Sequence, residues 1–146
     1  EQQKYFSGKK RQHTLKSLIV GMPSGKDIVE VEIGVPGPTA DINLLRKSQE
    51  KFDKSQPFVG DKGFQGGENI TTPHKRKPKR ELSQQQKDDN IALSSNRIFI
   101  EHLIRLLKIF RIASQRFRLN LETYEQIILT VCGLVRLRIG SLVLPT

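Results

Sequence analysis

Apolar residues change their spacing several times along the chain, and each change marks an element. Residues 14–22 read T-L-K-S-L-I-V-G-M, a β-branched and apolar run that ends at the turn signal Pro23-Ser24-Gly25-Lys26. Residues 27–33 read D-I-V-E-V-E-I, in which Val29, Val31 and Ile33 alternate with Glu30 and Glu32. That period of two puts successive side chains on opposite faces of a strand. The two runs predict a β-hairpin. Its second strand is expected to stop at Gly34-Val35-Pro36-Gly37-Pro38, where prolines remove backbone donors. Thr39 or Asp41 is then expected to cap a helix over 41–52, with Ile42, Leu45 and Phe52 on its core side. A short strand, Pro57-Phe58-Val59-Gly60-Asp61, follows and is closed by K-G-F-Q-G-G at 62–67.

Between 66 and 90 the pattern lapses into the basic tract His74-Lys75-Arg76-Lys77-Pro78-Lys79-Arg80 and then a Gln- and Asp-rich stretch. The expectation is a mobile basic and polar loop over 65–92, in whose second half a helix can begin. Strong helical spacing returns at Ser95 or Asn96 and runs to 113 or 114. Its many apolar positions, Ile98, Phe99, Ile100, Leu103, Ile104, Leu106, Leu107, Ile109, Phe110 and Ile112, imply burial on more than one face. A last helix is expected over 121–137, with Tyr124, Ile127, Ile128, Val131, Leu134 and Val135 inward. The order strand, strand, helix, strand, loop, helix, helix describes an α/β fold class, a small sheet covered by helices.

A length of 146 residues suits one domain. Lys and Arg number 25 against 15 Asp and Glu, a net charge of +10 that favours a polyanionic partner. Cys132 is the sole cysteine, so an intrachain disulfide is excluded, and with three scattered histidines it makes no four-ligand structural zinc site. Residues 127–144 are apolar enough to resemble a membrane span, but Arg136 and Arg138 fall in the middle, so no membrane partner is expected. The chain opens at Glu1 without a leader pattern, and the expectation is a piece of a longer protein.

Two acids stand out for chemistry. Asp61 ends a strand and opens into a glycine-bearing turn, a position suited to a ligand or metal and equally to a carboxylate that bonds its own backbone. Glu101 lies in the most apolar helix, where it needs compensation. At about 100° per residue, Ser94, Arg97, Arg105 and Lys108 fall within about 40° of it. That stripe is either an exposed ladder of i,i+4 ion pairs or a metal-binding carboxylate among cations that hold phosphates. Together the two acids suit a hard cation such as Mg²⁺ or Mn²⁺, which takes oxygen ligands and shares its other positions with water and phosphate.

Four ordered blocks carry a resemblance: Y-F-S-G-K-K-R-Q-H-T-L-K at 5–16, G-V-P-G-P-T-A-D-I at 34–42, G-D-K-G-F-Q-G at 60–66 and N-R-I-F-I-E-H at 96–102. They resemble successive blocks of bacterial insertion-sequence transposases with a DDE-type endonuclease domain, and the similarity covers nearly the whole chain. The resemblance implies an RNase H-like mixed sheet flanked by helices, and a core that cuts DNA at transposon ends and joins the 3′-hydroxyl to target DNA. It makes Asp61 and Glu101 the second and third acids, ligands of a two-metal Mg²⁺ or Mn²⁺ site rather than general bases. The family's first acid precedes the block at 5–16, and Glu1 matches no part of that strand. The expectation over 1–146 is therefore a truncated domain lacking its first strand and catalytically incomplete.

Asp41 matches an acid that recurs in the family and is read as a helix cap. Asp27 is read as solvent-facing, and His102, about 100° from Glu101, as a packing or supporting group. Lys9, Lys10, Arg11 and His13, then Lys62, then Lys75, Arg76, Lys77, Lys79 and Arg80, then Arg97, Arg105 and Lys108 are the expected DNA contacts. Expected partners are transposon-end and target DNA and a second copy of the chain, in the cytoplasm at the bacterial nucleoid. A second reading is a non-enzymatic basic nucleic-acid-binding protein. A third is an RNA-associated protein that stacks bases on Tyr5, Phe6, Phe58 and Phe64, although their spacing fits core packing better.

Overall fold

The chain divides into two sets of elements, Glu1–Thr39 with Phe99–Thr146, and Ala40–Ile98. A computed structural model describes residues 2–7, 12–23, 26–78, 80–114 and 120–141. The first unit opens with a 3₁₀ turn, Gln2–Tyr5, and two short antiparallel strands, β1 (Phe6–Ser7) and β2 (Gln12–His13). The expected hairpin follows as β3 (Leu15–Gly21) antiparallel to β4 (Ile28–Pro36).

β4 does not stop at Gly34, because a bulge lets it continue. Lys16 pairs with Val35 and Leu18 with Glu32, so Ile33 and Gly34 together oppose Ser17. Gly34 takes φ 75°, and a Cβ there would stand 2.6 Å from Leu121 Cδ1, so both conformation and space require glycine. A second irregularity sets Val20 against Glu30 and Gly21 against Ile28, leaving Val29 as the extra residue. Ile28 therefore joins Val31 and Ile33 at the core, while Val29 is half exposed. Strict alternation fails at Val29 and again at Glu32, which is buried.

The helices of this unit are the end of α2 (Gln84–Ile109), the short α3 (Arg111–Ser114) and α4 (Leu121–Arg138). Asn120 caps α4, its side chain accepting from the Thr123 N–H at 2.8 Å. Tyr124, Ile128, Val131, Cys132 and Val135 of α4 and Leu103, Leu106 and Leu107 of α2 close over Ile28. α2 buries one stripe, not several faces: Ile98, Phe99 and Ile109 are exposed, as is Ile112 of α3. Leu134 is also exposed, since it lies about 100° round α4 from the buried Val135. Asp27, expected in solvent, is paired with Arg136, whose Nε and Nη2 donate to its two oxygens at 2.6 and 3.0 Å. This fork ties the hairpin turn to the end of α4.

The second unit holds α1 (Asp41–Gln49), β5 (Phe58–Val59), a 3₁₀ turn at Lys62–Phe64, β6 (Ile70–Thr71) and the start of α2. β5 and β6 run parallel. Leu44, Leu45 and Ser48 are the buried positions of α1, where Ile42 had been expected beside Leu45, and Phe52 packs edge-on against Phe58 at 5.4 Å. The α1 cap position is Ala40, which has no side chain to donate or accept. Asp41 sits in the first turn instead and is not the cap.

The stretch 65–92 is not one loop. β6 lies within it, and α2 begins at Gln84, in the half where a helix was expected to be able to begin, and runs unbroken into the helical spacing expected from Ser95. A reciprocal pair starts the helix: Gln86 N–H donates to Ser83 Oγ at 3.2 Å and Ser83 N–H to Gln86 Oε1 at 3.0 Å. Gln84 and Gln85 then donate to Asp88 and Asp89 one turn on, both at 2.9 Å. Among the described residues the strands pair two by two, two pairs antiparallel and one parallel, in a mixed α/β chain. No described helix is long and apolar enough to cross a membrane.

Candidate functional site

Asp61 is placed by the short segment between β5 and the 3₁₀ turn. Gly60 before it is buried, and a Cβ there would meet Ile70 Cδ1 at 2.7 Å and Phe64 Cδ2 at 3.0 Å. Two apolar side chains thus fix the backbone one residue ahead of the acid. Asp61 caps the turn, its Oδ1 accepting the Gly63 N–H at 2.7 Å. The backbone-bonding reading of this residue is correct, and it leaves the ligand reading open, because one hydrogen bond engages one oxygen of an exposed carboxylate. An exposed oxygen donor suits a hard divalent cation.

Glu101 stands exposed on the part of α2 that belongs to the first unit, with Arg105 and Lys108 exposed at helical spacing. Arg97 and Ser94 precede it on the same helix, in the second unit's part. His102 is exposed, which corrects the packing half of its expected role. Asp61 and Glu101 fall in different units, and each is described in its own. Among the described residues no three or more His, Cys, Asp or Glu side chains group closely enough to hold a metal ion. Cys132 is buried, and burial raises its thiol pKa, so it is no nucleophile.

The basic tract bonds to α2 and to itself. Asn90 of α2 clamps the backbone of His74 from both sides: Oδ1 accepts its N–H at 2.7 Å, and Nδ2 donates to its carbonyl at 3.2 Å. His74 Nε2 also lies 3.4 Å from Asp89. The Arg80 N–H returns to the Lys77 carbonyl at 3.1 Å, folding the tract on itself. Lys75, Lys77 and Arg80 consequently line one open cleft with Ser83 and Gln86 at the start of α2. Arg76 pairs with Glu81 across 3.5 Å in the open, and Lys62 is exposed next to Asp61. Lys9, Lys10, Arg11 and Lys79 lie outside the described residues, as does the side chain of His13. Sequence reasoning missed Asn90, for which no local pattern signals, and the S-x-x-Q cap at 83–86, for which one does.

Comparison with known proteins gives two matches. The family profile described as "DDE superfamily endonuclease" matches residues 1–136. A protein of Microchaete diplosiphon described as a probable transposase for insertion sequence element IS702 is 39% identical over 124 residues, covering 80% of this chain and 44% of that protein. The chain therefore spans less than half the length of this relative. No solved structure matches the chain.

Proposed function

The chain belongs to the DDE superfamily of endonucleases, and from that membership we propose that residues 1–146 form part of the DNA-cutting and strand-transfer core of an insertion-sequence transposase. The observation that carries the reading is Asp61, an exposed carboxylate held by its own turn within the block expected to contain the family's second acid. Glu101 is the third acid in this reading. The α/β elements are read as an RNase H-like core. The proposed partners are bacterial DNA and a second copy of the chain, in the cytoplasm at the nucleoid.

Asp61 and Glu101 would hold divalent cations, Mg²⁺ or Mn²⁺, as oxygen ligands. Bound as a pair, such ions supply Lewis-acid activation of the attacking oxygen and charge neutralisation at the leaving one. The chain's own work is to hold the acids and the DNA. Asp61 is kept outward by the Gly63 N–H, and Lys62 beside it meets a phosphate. Lys75, Lys77 and Arg80, presented in one cleft, bind the backbone without reading bases. Arg97, Arg105 and Lys108 would take phosphates along α2. Residues 1–146 carry two acids of the three-acid set, so these residues alone are expected to bind metal and DNA and to cut weakly or not at all.

Calorimetric titration with MnCl₂ tests the assignment. Asp61→Asn and Glu101→Gln should each abolish binding while DNA affinity in chelator holds or rises; heats unchanged by both substitutions would end it. The anchored cleft favours a second reading, a non-enzymatic basic nucleic-acid binder, which predicts indifference to metal. In either case, replacing Lys75, Lys77 and Arg80 by Ala should flatten the slope of log K against log salt by roughly 3, at about 0.9 per phosphate contact.

A further inference from the structure

We propose that Gly63 and Asp41 are positioning residues for Asp61, an inference that rests on the assignment of Asp61 as a metal ligand. The backbone of Gly63 is not left-handed: among the described residues the glycines with positive φ are Gly34, Gly66 and Gly140. Space, not conformation, favours glycine there. A Cβ at position 63 would stand 2.9 Å from Asp61 Oδ1 and 3.0 Å from Asp41 Oδ2. Two carboxylates, one from the turn itself and one from the first turn of α1, which packs on that turn, thus crowd the space a side chain at 63 would fill. Asp61 Oδ1 cannot swing away from an added methyl without loosening its 2.7 Å hydrogen bond from the same residue. Both acids lie in one unit, so the arrangement is local.

Two consequences follow. Gly63 sets the direction of the Asp61 carboxylate by giving it a donor and nothing to collide with. Asp41 sits where the N-terminal end of a helix favours negative charge, and its field adds to that of Asp61 for an arriving divalent cation without touching it.

The probe is MnCl₂, read as paramagnetic broadening of backbone amides in ¹⁵N-labelled protein. In the unaltered chain the Gly63 amide should broaden early in the titration, and Asp61→Asn should remove that broadening. Asp41→Asn should raise the Mn²⁺ concentration needed by about fivefold, the scale for one unit charge several ångströms from a divalent ion in screened surroundings. Gly63→Ala should raise it at least as much, while Asp41→Glu, which keeps the charge, should titrate close to the parent. A merely structural role for Asp41 would not separate the Glu variant from the Asn variant in this way. If Asp61→Asn removes the broadening while Asp41→Asn and Gly63→Ala titrate like the parent, this inference fails and the ligand assignment stands. If Asp61→Asn leaves it in place, or the parent shows none, the assignment fails and takes the inference with it. Peak dispersion reports whether each variant is folded, and should Gly63→Ala unfold, Asp41→Asn alone decides.

Discussion

The two units are stabilised by different means. The first closes an apolar core of Ile28, Leu103, Leu106, Leu107, Tyr124, Ile128, Val131, Cys132 and Val135, locked at its edge by the Asp27–Arg136 fork. In the second, Leu44, Leu45 and Pro73 are the buried apolar side chains among the described residues. Its shape rests on polar side chains that bond the backbone: Gln49 to the Glu68 carbonyl, Asp53 to the Ser55 N–H, Asp61 to the Gly63 N–H, Asn90 to His74. Apolar burial is non-directional and cooperative, whereas each such hydrogen bond fixes one short segment. The first arrangement makes a scaffold, and the second aims particular groups from a surface that can open locally. The Asp61 turn and the basic cleft both lie in the second unit.

The largest test of the contrast is Leu103→Ala. Leu103 is 1% exposed at the centre of the first core, and its truncation should cost about 2–5 kcal/mol, read as a drop in the urea midpoint. A change below about 1 kcal/mol would mean that the core does not carry the unit. Acid sharpens the comparison next. The hydrogen bond from Arg136 holds the Asp27 carboxyl below its ordinary range, outweighing the opposing effect of burial. A depressed aspartate contributes stability that is present above its unfolded value and is lost as pH falls through the folded one. The parent should therefore lose stability more steeply than Asp27→Asn between about pH 5 and pH 2, the range in which such a carboxylate takes its proton. Parallel acid curves would show that the fork contributes nothing.

Legibility followed the same division. The hairpin and α4 were readable because apolar periodicity is the strongest local signal; it failed at Val29, where a bulge adds a residue without any mark in composition, at the buried Glu32 and at the exposed Leu134. The start of α2 was legible only as a helix that could begin somewhere in the polar stretch, because Gln84 to Asn90 present no apolar stripe; hydrogen bonds among polar side chains replace it. The helix had its own signal in Ser83 and Gln86, a cap visible at the right spacing. Asp61 was readable as an acid in a glycine turn, but Asp41 as its neighbour was not, since nothing local connects residues twenty apart. Position 41 reads as a helix cap until the cap is seen to be Ala40.

The smallest expected effect falls in the second unit, at Asn90. Its amide makes both of the backbone bonds that seat His74, so Asn90→Ala leaves an N–H and a carbonyl to water in an exposed setting. Lost hydrogen bonds of this kind cost about 1 kcal/mol, because solvent replaces most of each one. Global stability should hardly move. The His74 amide, however, should exchange with solvent faster by about fivefold, and by no more than the local bond energy allows. DNA binding is the more telling readout: Lys75, Lys77 and Arg80 keep their charge, so the salt slope should persist while affinity weakens, the tract now having to be ordered on binding. An unchanged affinity would mean that seating the tract contributes nothing to presenting its cations. The second unit's polar fixings would then serve the fold alone.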